Sequence, residues 1–325
     1  MTLALVTGAS GFLGSHLVEA LLASGYRVRC LVRRTSSLSW LAPDRVELFY
    51  GAVTEPAALA EAARGAELIF HLAGVTRTLR RADYEQVNAE ACGLVARAAA
   101  ASGARRILLV SSLAAGGPSA AGRPRREEDP DAPVGPYGLS KLRGEALLKA
   151  QAGRTAWTIL RPSAVYGPRD ASFLLLARFA KRGWAPAIGG PAQPLSLLHA
   201  RDLAEALLAA AACEGAAGRT YYLAHPEPAN WESIARLMAA RMERRVRRLR
   251  IPRWGVRAAG WGGRAGALLS GRTDPLPADR LRDLLAPAWV CDPARAREEL
   301  GFRARVDHEA GFAETIDWYR AEGLL

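Results

Sequence analysis

The chain has 325 residues, of which 50% are hydrophobic and 23% are charged, a composition typical of a globular protein and not of a fibrous or disordered one. Its formal net charge is +12, yet lysine occurs only at positions 141, 149 and 181, so arginine supplies almost all of the positive charge. The four cysteines are widely separated and form no C-x-x-C pair, which argues against a structural zinc site and a disulfide framework.

The first 166 residues alternate short apolar segments with longer helical patterns. The apolar segments predict strands at 3–7, 27–32, 46–50, 68–72, 106–111 and 157–160. Helical periodicity predicts helices at 14–24, 84–102 and 137–150. Strands separated by helices imply right-handed crossovers and a parallel sheet. The sequence therefore predicts an α/β fold with a doubly wound parallel sheet, a Rossmann domain, over residues 1–166.

Beyond Tyr166, clusters of glycine and proline divide the chain into shorter segments. We expect residues 167–325 to form a smaller, mostly helical C-terminal lobe that binds the substrate. One or two segments near 195–224, such as 195–198 and 220–223, are expected to return and extend the main sheet. Four aromatic residues are candidates either for the wall of the substrate pocket or for the core of this lobe: Phe173, Trp184, Trp254 and Trp261.

A glycine motif lies between the first predicted strand and the first predicted helix. Gly8, Gly11 and Gly14 allow a tight turn, a close approach to a pyrophosphate and close packing of the helix on the strand. The helix N-terminus then offers unpaired N–H groups to the anion. We therefore predict a dinucleotide site over Thr7-Gly8-Ala9-Ser10-Gly11-Phe12-Leu13-Gly14.

The end of the second strand indicates which dinucleotide binds. An NAD site usually has a carboxylate there for the ribose 2′-hydroxyl, whereas an NADP site has arginine for the 2′-phosphate. This chain has Arg33 and Arg34 and no acidic residue at that position. A guanidinium can bind the phosphate with two hydrogen bonds, and a carboxylate would repel it. NADP(H) is therefore favoured, with NAD(H) as the alternative.

Tyr137 and Lys141 are four residues apart, so both lie on one side of a helix that is entered through Pro136. An ammonium about one turn from a phenol stabilises the tyrosinate, which lets the phenol exchange a proton with a substrate oxygen. Ser111 and Ser112 follow a predicted strand, at the edge where open α/β sheets bind their ligands. A hydroxyl there can hold a reacting carbonyl oxygen.

Three further features accompany these motifs: His71-Leu-Ala-Gly74, Arg161-Pro-Ser-Ala-Val-Tyr-Gly-Pro168 and Asp202. In this combination the chain resembles the extended short-chain dehydrogenase/reductase superfamily. That group includes nucleotide-sugar epimerases and dehydratases, dihydroflavonol reductases and 3β-hydroxysteroid dehydrogenases. The resemblance covers nearly the whole chain and is most specific in its first two-thirds.

The resemblance implies a role for each matching residue. Tyr137 would be the general acid/base, and Lys141 would stabilise its anion and bind the nicotinamide ribose. Ser112, the serine that matches the catalytic position, would polarise the carbonyl while hydride passes to or from the nicotinamide. Asn88 would support the active-site network, and Arg33 would contact the 2′-phosphate. The expected cofactor contacts are Gly8, Ser10, Gly11, Phe12, Leu13, Gly14, Arg33, Arg34, Ala73, Gly74, Asn88, Tyr137, Lys141 and Pro162.

Two departures from the family pattern bear on the reaction. Ala52 stands where the family usually has an aspartate for the adenine amino group, and Ala164 stands where sugar-nucleotide epimerases tend to have an asparagine. The sequence thus favours an NADP(H)-dependent oxidoreductase that interconverts a carbonyl and an alcohol. A nucleotide-sugar epimerase or dehydratase with tightly bound NAD is the alternative. A non-enzymatic dinucleotide sensor would not need the Ser–Tyr–Lys set.

Partners and location follow from charge and hydropathy. Eight arginines fall within the seventeen residues 241–257, a pattern that suits either a nucleic-acid or anionic-membrane surface or a solvated face. The lack of a zinc-finger or aromatic-interleaved pattern favours the solvated face. The longest apolar helical stretch, 203–213, is too short to span a bilayer. We expect a cytoplasmic enzyme with a small-molecule substrate, without nucleic acid, metal or membrane span, and the resemblance implies a homodimer.

Overall fold

A computed structural model describes residues 1–78, 80–120, 122–188, 193–252, 254–255 and 281–325. Its strands in chain order are β1 (Leu3–Thr7), β2 (Arg27–Val32), β3 (Glu47–Tyr50), β4 (Leu68–His71), β5 (Arg106–Val110), β6 (Ala156–Pro162), β7 (Ala164–Tyr166), β8 (Trp184–Ile188), β9 (Leu197–His199), β10 (Arg219–Leu223) and β11 (Arg247–Ile251).

The helices fall between these strands. In chain order they are α1 (Phe12–Ala23), α2 (Pro56–Ala63), α3 (Arg81–Asp83), α4 (Ala91–Ser102), α5 (Leu113–Gly116), α6 (Pro136–Gln151), α7 (Leu174–Lys181), α8 (Ala200–Ala212), α9 (Trp231–Arg241), α10 (Leu281–Leu284), α11 (Ala294–Glu299) and α12 (His308–Ala321). A π-helical segment, Tyr84–Glu90, joins α3 to α4, and a short 3₁₀ turn, Glu214–Ala216, precedes β10.

The central sheet is parallel throughout and has the strand order β10-β6-β5-β4-β1-β2-β3. The chain winds outward from β1 in one direction to β3 and in the other direction to β10. The crevice where the direction reverses, between β1 and β4, is where a sheet of this kind binds a ligand. The predicted doubly wound Rossmann sheet is confirmed.

Both faces of the sheet are covered by apolar helix faces. Helices α1 and α8 pack on one face, and α2, α4 and α6 pack on the other. Because β1 and β5 are buried along their whole length, their sequences are continuously apolar and do not alternate. Each fully buried leucine or valine side chain contributes about 1.5–3 kcal/mol. The helical residues buried in these layers include Leu17, Leu21, Leu203, Leu207, Leu59, Val95 and Leu148.

Residues beyond Tyr166 contribute to two different cores. Helix α8 and strand β10 belong to the central sheet and its covering layer, and the expectation for 220–223 matches the pairing of β10 with β6. The expectation for 195–198 is wrong, because β9 pairs with β7 in a separate two-stranded sheet. Helices α7, α9 and α12 enclose a second core, whose aromatic members include Tyr166, Phe173, Trp231, Phe312 and Tyr319.

Candidate active site

The loop after β1 forms a narrow cradle. Gly8 has φ of +72°, and a Cβ on Gly14 would lie 2.1 Å from the carbonyl oxygen of Gly8, so no side chain fits at position 14. Helix α1 begins at Phe12, and its N-cap residue, Gly11, provides no side-chain cap. The first N–H groups of α1 are thus left for an external acceptor, which is the arrangement that binds a pyrophosphate. Ser10, Phe12 and Leu13 lie partly exposed around this turn.

The ends of β1 and β4 are joined below the cradle by side chains. Thr7 Oγ1 lies 2.7 Å from His71 Nδ1, and the Ala73 N–H donates to Thr7 Oγ1 over 3.3 Å. Burial, with a smaller effect from the Lys141 charge, lowers the pKa of His71 to about 3. His71 is therefore neutral, and its hydrogen bond connects the ends of β1 and β4 beneath the cofactor crevice.

Helix α6 carries Tyr137 and Lys141 to the carboxyl end of β5. Their side chains are 8% and 7% exposed, so neither is an ordinary solvated surface group. Lys141 Nζ donates to the carbonyl oxygen of Val110, the last residue of β5, over 3.0 Å. A Cβ on Gly74 would lie 3.3 Å from Lys141 Nζ, so the crevice after β4 and the ammonium are direct neighbours. Tyr137 packs edge-on against Tyr84, with 6.2 Å between ring centroids.

The two adjacent serines after β5 differ in their surroundings. Ser111 is buried, and its hydroxyl donates to Glu145 Oε1 over 2.5 Å. Ser112 is half-buried and caps the short helix α5, accepting from the Ala114 N–H over 3.1 Å. Ala114 in turn packs against Tyr137. Ser112 thus begins the short helix whose Ala114 packs against Tyr137, and its assignment as the catalytic serine stays a prediction.

Asn88 connects α6, the helix that carries Tyr137, to the segment after β4 by hydrogen bonds. Its Oδ1 accepts from the Val75 N–H over 2.8 Å, and its Nδ2 donates to Val75 O over 2.9 Å and to Ser140 Oγ over 3.1 Å. The helix predicted at 84–102 is π-helical over Tyr84–Glu90, a conformation that occurs mostly at functional sites. Asn88 thus holds α6 at a fixed distance from the cofactor crevice.

A cluster of charged side chains lies on the other side of α6. Arg161 forms two hydrogen bonds to the Glu145 carboxylate and two to Asp131, and it also donates to the Tyr222 hydroxyl. Burial alone would lower the pKa of Arg161, but the bonds and charges of Glu145 and Asp131 outweigh burial and raise it. Sequence reasoning did not identify this cluster, although Glu145 follows Lys141 by one helical turn.

Arg33 and Arg34 lie at the carboxyl end of β2, on the same edge of the sheet as the cradle. Both are exposed, and the Arg33 N–H donates to Ser36 Oγ over 3.2 Å. The Arg34 guanidinium lies 5.4 Å from the centroid of the Tyr50 ring, a cation–π distance. No carboxylate pairs with either arginine within the described ranges of the chain.

Apolar side chains surround Tyr137 where a substrate would approach. They are Val75, Tyr84, Ala114 and Trp289. Of the aromatic residues considered from the sequence, Phe173 lies in the second core, Trp184 and Trp254 are exposed, and Trp261 lies outside the described residues. Trp289 was not predicted, since nothing in the sequence around it signals a pocket.

The chain around Trp289 is fixed to both halves of the molecule. Its N–H donates to Pro194 O over 2.9 Å, and its carbonyl accepts from the Ser196 N–H over 2.8 Å. On its other side, the Arg125 N–H donates to Val290 O over 2.8 Å. Trp289 Nε1 donates to Asp283 O over 2.6 Å, which fixes the indole ring.

The residues that the structure describes contain no cluster of three or more His, Cys, Asp or Glu side chains that could hold a metal ion. Among the same residues, no helix has both the length and the apolar character needed to cross a membrane.

Comparison with known proteins identifies relatives along nearly the whole chain. A ceramide reductase of Caulobacter vibrioides is 33% identical over 327 residues, which cover 98% of this chain and 95% of the relative. The 4-hydroxy-2-methyl-3-oxo-4-farnesyl-3,4-dihydroquinoline-1-oxide ketoreductase of Stigmatella aurantiaca is 30% identical over 317 residues, which cover 94% and 93% of the two chains.

Solved structures with the same fold cover the chain equally well. The crystal structure of gox2253 superposes with a TM-score of 0.84 at 25% identity over 100% of both chains. MoeE5 in complex with UDP-glucuronic acid and NAD superposes with a TM-score of 0.78 at 25% identity, over 98% of this chain and 99% of that one.

The model of the NAD dependent epimerase/dehydratase family matches residues 4–224, which include every strand of the central sheet. Since the matched region contains both the glycine cradle and the Tyr137–Lys141 helix, the chain belongs to this family, within the extended short-chain dehydrogenase/reductase superfamily, and is a nicotinamide-dinucleotide-dependent enzyme.

Proposed function

We propose that this enzyme is an NADP(H)-dependent oxidoreductase that interconverts a carbonyl and an alcohol, with Tyr137 as the general acid/base. The observation that carries the proposal is the burial of Tyr137 and Lys141 together beside the glycine-lined crevice after β4. A phenol and an ammonium held there suit proton transfer to an oxygen that reacts next to a nicotinamide.

The residues of the crevice suit a dinucleotide. The uncapped start of α1 after Gly11 would hold the pyrophosphate, and Ala73, Gly74 and Pro162 would line the channel toward Tyr137. A nicotinamide dinucleotide bound there supplies or accepts the hydride. The glycines at 14 and 74 support this fit by letting the walls of the crevice pack closely, because a Cβ on Gly14 would clash with Gly8 O and one on Gly74 would press on Asn88 and Lys141.

Side chains of the protein carry out the proton transfer and hold the reacting groups in position. Tyr137 donates its proton to the carbonyl oxygen during reduction and takes it back during oxidation. Lys141, anchored on Val110 O, stabilises the tyrosinate by its charge. Ser112 donates a hydrogen bond to the same carbonyl oxygen, and Asn88 keeps α6 in position.

The preference for NADP(H) rests on Arg33 and Arg34. Their guanidinium groups lie at the end of β2 without a neighbouring carboxylate among the described residues, which favours a 2′-phosphate. Arg34, stacked on Tyr50, is held close to the strand end.

The substrate that fits this site is apolar near its reacting carbonyl. Val75, Tyr84 and Trp289 present hydrocarbon and ring surface around Tyr137, which favours a lipid-like ketone. The names of two full-length relatives, a ceramide reductase and a ketoreductase of a farnesyl-bearing quinoline oxide, describe reductases of this kind of compound.

A sugar-nucleotide epimerase or dehydratase with tightly bound NAD is the second candidate. The likeness to MoeE5, whose structure holds UDP-glucuronic acid and NAD, favours it. Ala164 in β7, where such epimerases tend to have asparagine, counts against it.

The test is a comparison of cofactor binding with activity. We expect purified protein to bind NADPH more tightly than NADH, and Arg33→Ala to remove most of the difference. Tyr137→Phe should lower the reduction rate by about 10²–10⁴-fold. Tyr221→Phe is the matched control, since it removes a hydroxyl that donates to Glu299 Oε2 in the edge strand β10, away from the crevice. Non-dialysable NAD together with a thermal shift caused by UDP-sugars would establish the epimerase instead.

A further inference from the structure

A cluster of exposed basic residues lies on the second lobe, around the two-stranded sheet of β8 and β11. We call it the basic patch. It consists of Lys181, Arg182, Arg244, Arg245 and Arg247, all of which are exposed.

The pairing of β8 with β11 brings two distant segments of the chain together in this patch. Arg247 is the register partner of Trp184, and the Arg247 N–H donates to Gly183 O over 2.9 Å. Paired strands lie about 4.8 Å apart. Lys181 and Arg182, which precede β8, therefore lie beside the arginines that precede and begin β11.

The carboxylates nearest to the patch are already paired with other arginines. Glu232 binds Arg236 and Arg248. Asp317 binds Arg241 and lies 3.9 Å from Arg320. In the described part of the chain, none of the five patch residues has a carboxylate within ion-pair distance.

Glu243 is the one acidic residue within the segment 241–250. The patch therefore carries a large excess of positive charge, and an external polyanion would relieve the mutual repulsion of these groups.

Large apolar side chains border the same surface. Trp184 is 41% exposed and Trp254 is 73% exposed, although a folded protein normally buries most of an indole ring. Leu175, also exposed, lies on α7 seven residues before Arg182 and so shares its face of the helix. Exposed indole rings on the same lobe as exposed arginine and lysine suit the boundary of a bilayer, where the rings lie at headgroup level and the cations meet lipid phosphates.

We propose that the basic patch, together with Trp184 and Trp254, docks this protein on a membrane surface that contains anionic lipids. The proposal concerns attachment and does not depend on the reaction proposed above. Nucleic acid is the less favoured occupant, because the exposed Leu175 is aliphatic and can enter a bilayer but offers no ring on which a base could stack. A third possibility is that the arginines only shield the edge of β11 from pairing with another chain.

The experiment is flotation of the full-length protein with vesicles of phosphatidylcholine alone or mixed with phosphatidylglycerol. We expect binding only to the anionic vesicles, and loss of binding near 1 M salt, where charges are screened beyond about 3 Å. The triple variant Arg244→Glu/Arg245→Glu/Arg247→Glu should bind more than about a hundredfold more weakly, because each lost basic residue near an anionic membrane contributes about fivefold and each new glutamate adds repulsion.

The matched control is Arg105→Glu/Arg154→Glu/Arg219→Glu. These exposed arginines lie at the amino ends of β5, β6 and β10, and the variant has the same net charge as the patch variant. It should bind anionic vesicles nearly as well as the unaltered protein. Trp184→Ala should weaken vesicle binding without changing the salt dependence.

Three results would overturn the proposal. The first is equal binding of the patch variant and the control variant. The second is binding to duplex DNA, and not to vesicles, that disappears in the patch variant. The third is a combination of two observations: the patch variant self-associates, and the unaltered protein does not bind vesicles. That result would mean that the arginines keep the edge of β11 from pairing with another chain. Reduction of a water-soluble carbonyl compound should be unchanged in every one of these variants, so failure of the docking proposal and failure of the proposed reaction are separable.

Discussion

Ser111 and Ser112 are neighbours in the chain but serve different purposes. Successive residues at a strand end point to opposite sides, so Ser111 points inward to Glu145 while Ser112 lies at the start of α5, beside the residues that pack on Tyr137. The sequence identified the pair of hydroxyls, and the match to the family favoured Ser112. It could not show that Ser111 has a buried partner, because that partner is 34 residues away.

Alanine substitutions should separate the two serines. We expect Ser112→Ala to lower the reduction rate by about 10²–10³-fold, because one donor to the carbonyl oxygen is lost, with about 1 kcal/mol of stability lost from the cap of α5. Ser111→Ala should leave the rate within a few-fold and lower the free energy of unfolding by about 1–3 kcal/mol, because Glu145 loses a buried hydrogen bond. Steady-state kinetics and urea unfolding measure both effects. A larger rate loss for Ser111→Ala would reverse the assignment.

At the scale of elements, α6 is held by close backbone contacts as well as by side chains. A Cβ on Gly144 would lie 2.2 Å from the Asn88 carbonyl oxygen, and one on Gly138 would lie 2.3 Å from Ala114 O. The helix that carries Tyr137 can therefore approach its neighbours only because these two positions lack side chains.

Gly144→Ala should accordingly be destabilising although alanine is the better helix former. We expect a loss of about 1–3 kcal/mol, typical of overpacking, and a lower reduction rate because α6 must move away from Asn88. Gly93→Ala in α4 is the control, since its Cβ would meet only the flexible end of Gln151. That variant should be neutral or up to about 1 kcal/mol more stable. Equal thermal unfolding of the two variants would contradict the close-contact explanation.

The ionic cluster of Arg161 connects α6 with β6 and β10. Arg161→Ala should cost about 3–5 kcal/mol, because it leaves Glu145 buried without its cation. The double variant Arg161→Met/Glu145→Leu should recover most of this loss, since no buried charge remains. A double-mutant cycle in urea measures the coupling free energy. Additive effects would show that the two groups do not act together.

The elements that the sequence predicted well are those whose burial produces a clear pattern of apolar residues or glycines in the sequence. Buried strands such as β5 are continuously apolar, and the turn before α1 has glycine where no Cβ fits. Helix α2 was missed because an alanine-rich sequence gives little contrast between its faces. The pairing of β9 with β7 could not be predicted, because short strands carry no signal for the sheet that they join.

At the scale of the whole molecule, buried neutral histidines make stability depend on pH. Burial lowers the pKa of His71 and of His199 to about 3, below the value of about 6.5 in an unfolded chain. Below pH 6.5 the unfolded state binds protons that the folded state does not, so these residues favour unfolding as the pH falls toward 3. Their full contribution to stability is present above pH 6.5.

A variant at His71 isolates this effect from other titrating groups. Between pH 6 and pH 4 we expect the free energy of unfolding of the unaltered protein to fall more steeply than that of His71→Asn, by about 1.4 kcal/mol per pH unit. Urea midpoints at several pH values measure the two slopes. Parallel slopes would mean that His71 is protonated in the folded protein.

The position of Trp289 late in the chain has a consequence for folding during synthesis. The ribosome releases the chain from its N-terminus, so the glycine turn, Tyr137 and Lys141 emerge well before Trp289, which packs against the cluster that contains Tyr137. A nascent chain can assemble its proton-transfer helix while the approach to Tyr137 is still open to water. The wall that Trp289 adds to the proposed substrate site therefore forms late in synthesis, and it depends on a short stretch of backbone bonded to residues 125, 194 and 196.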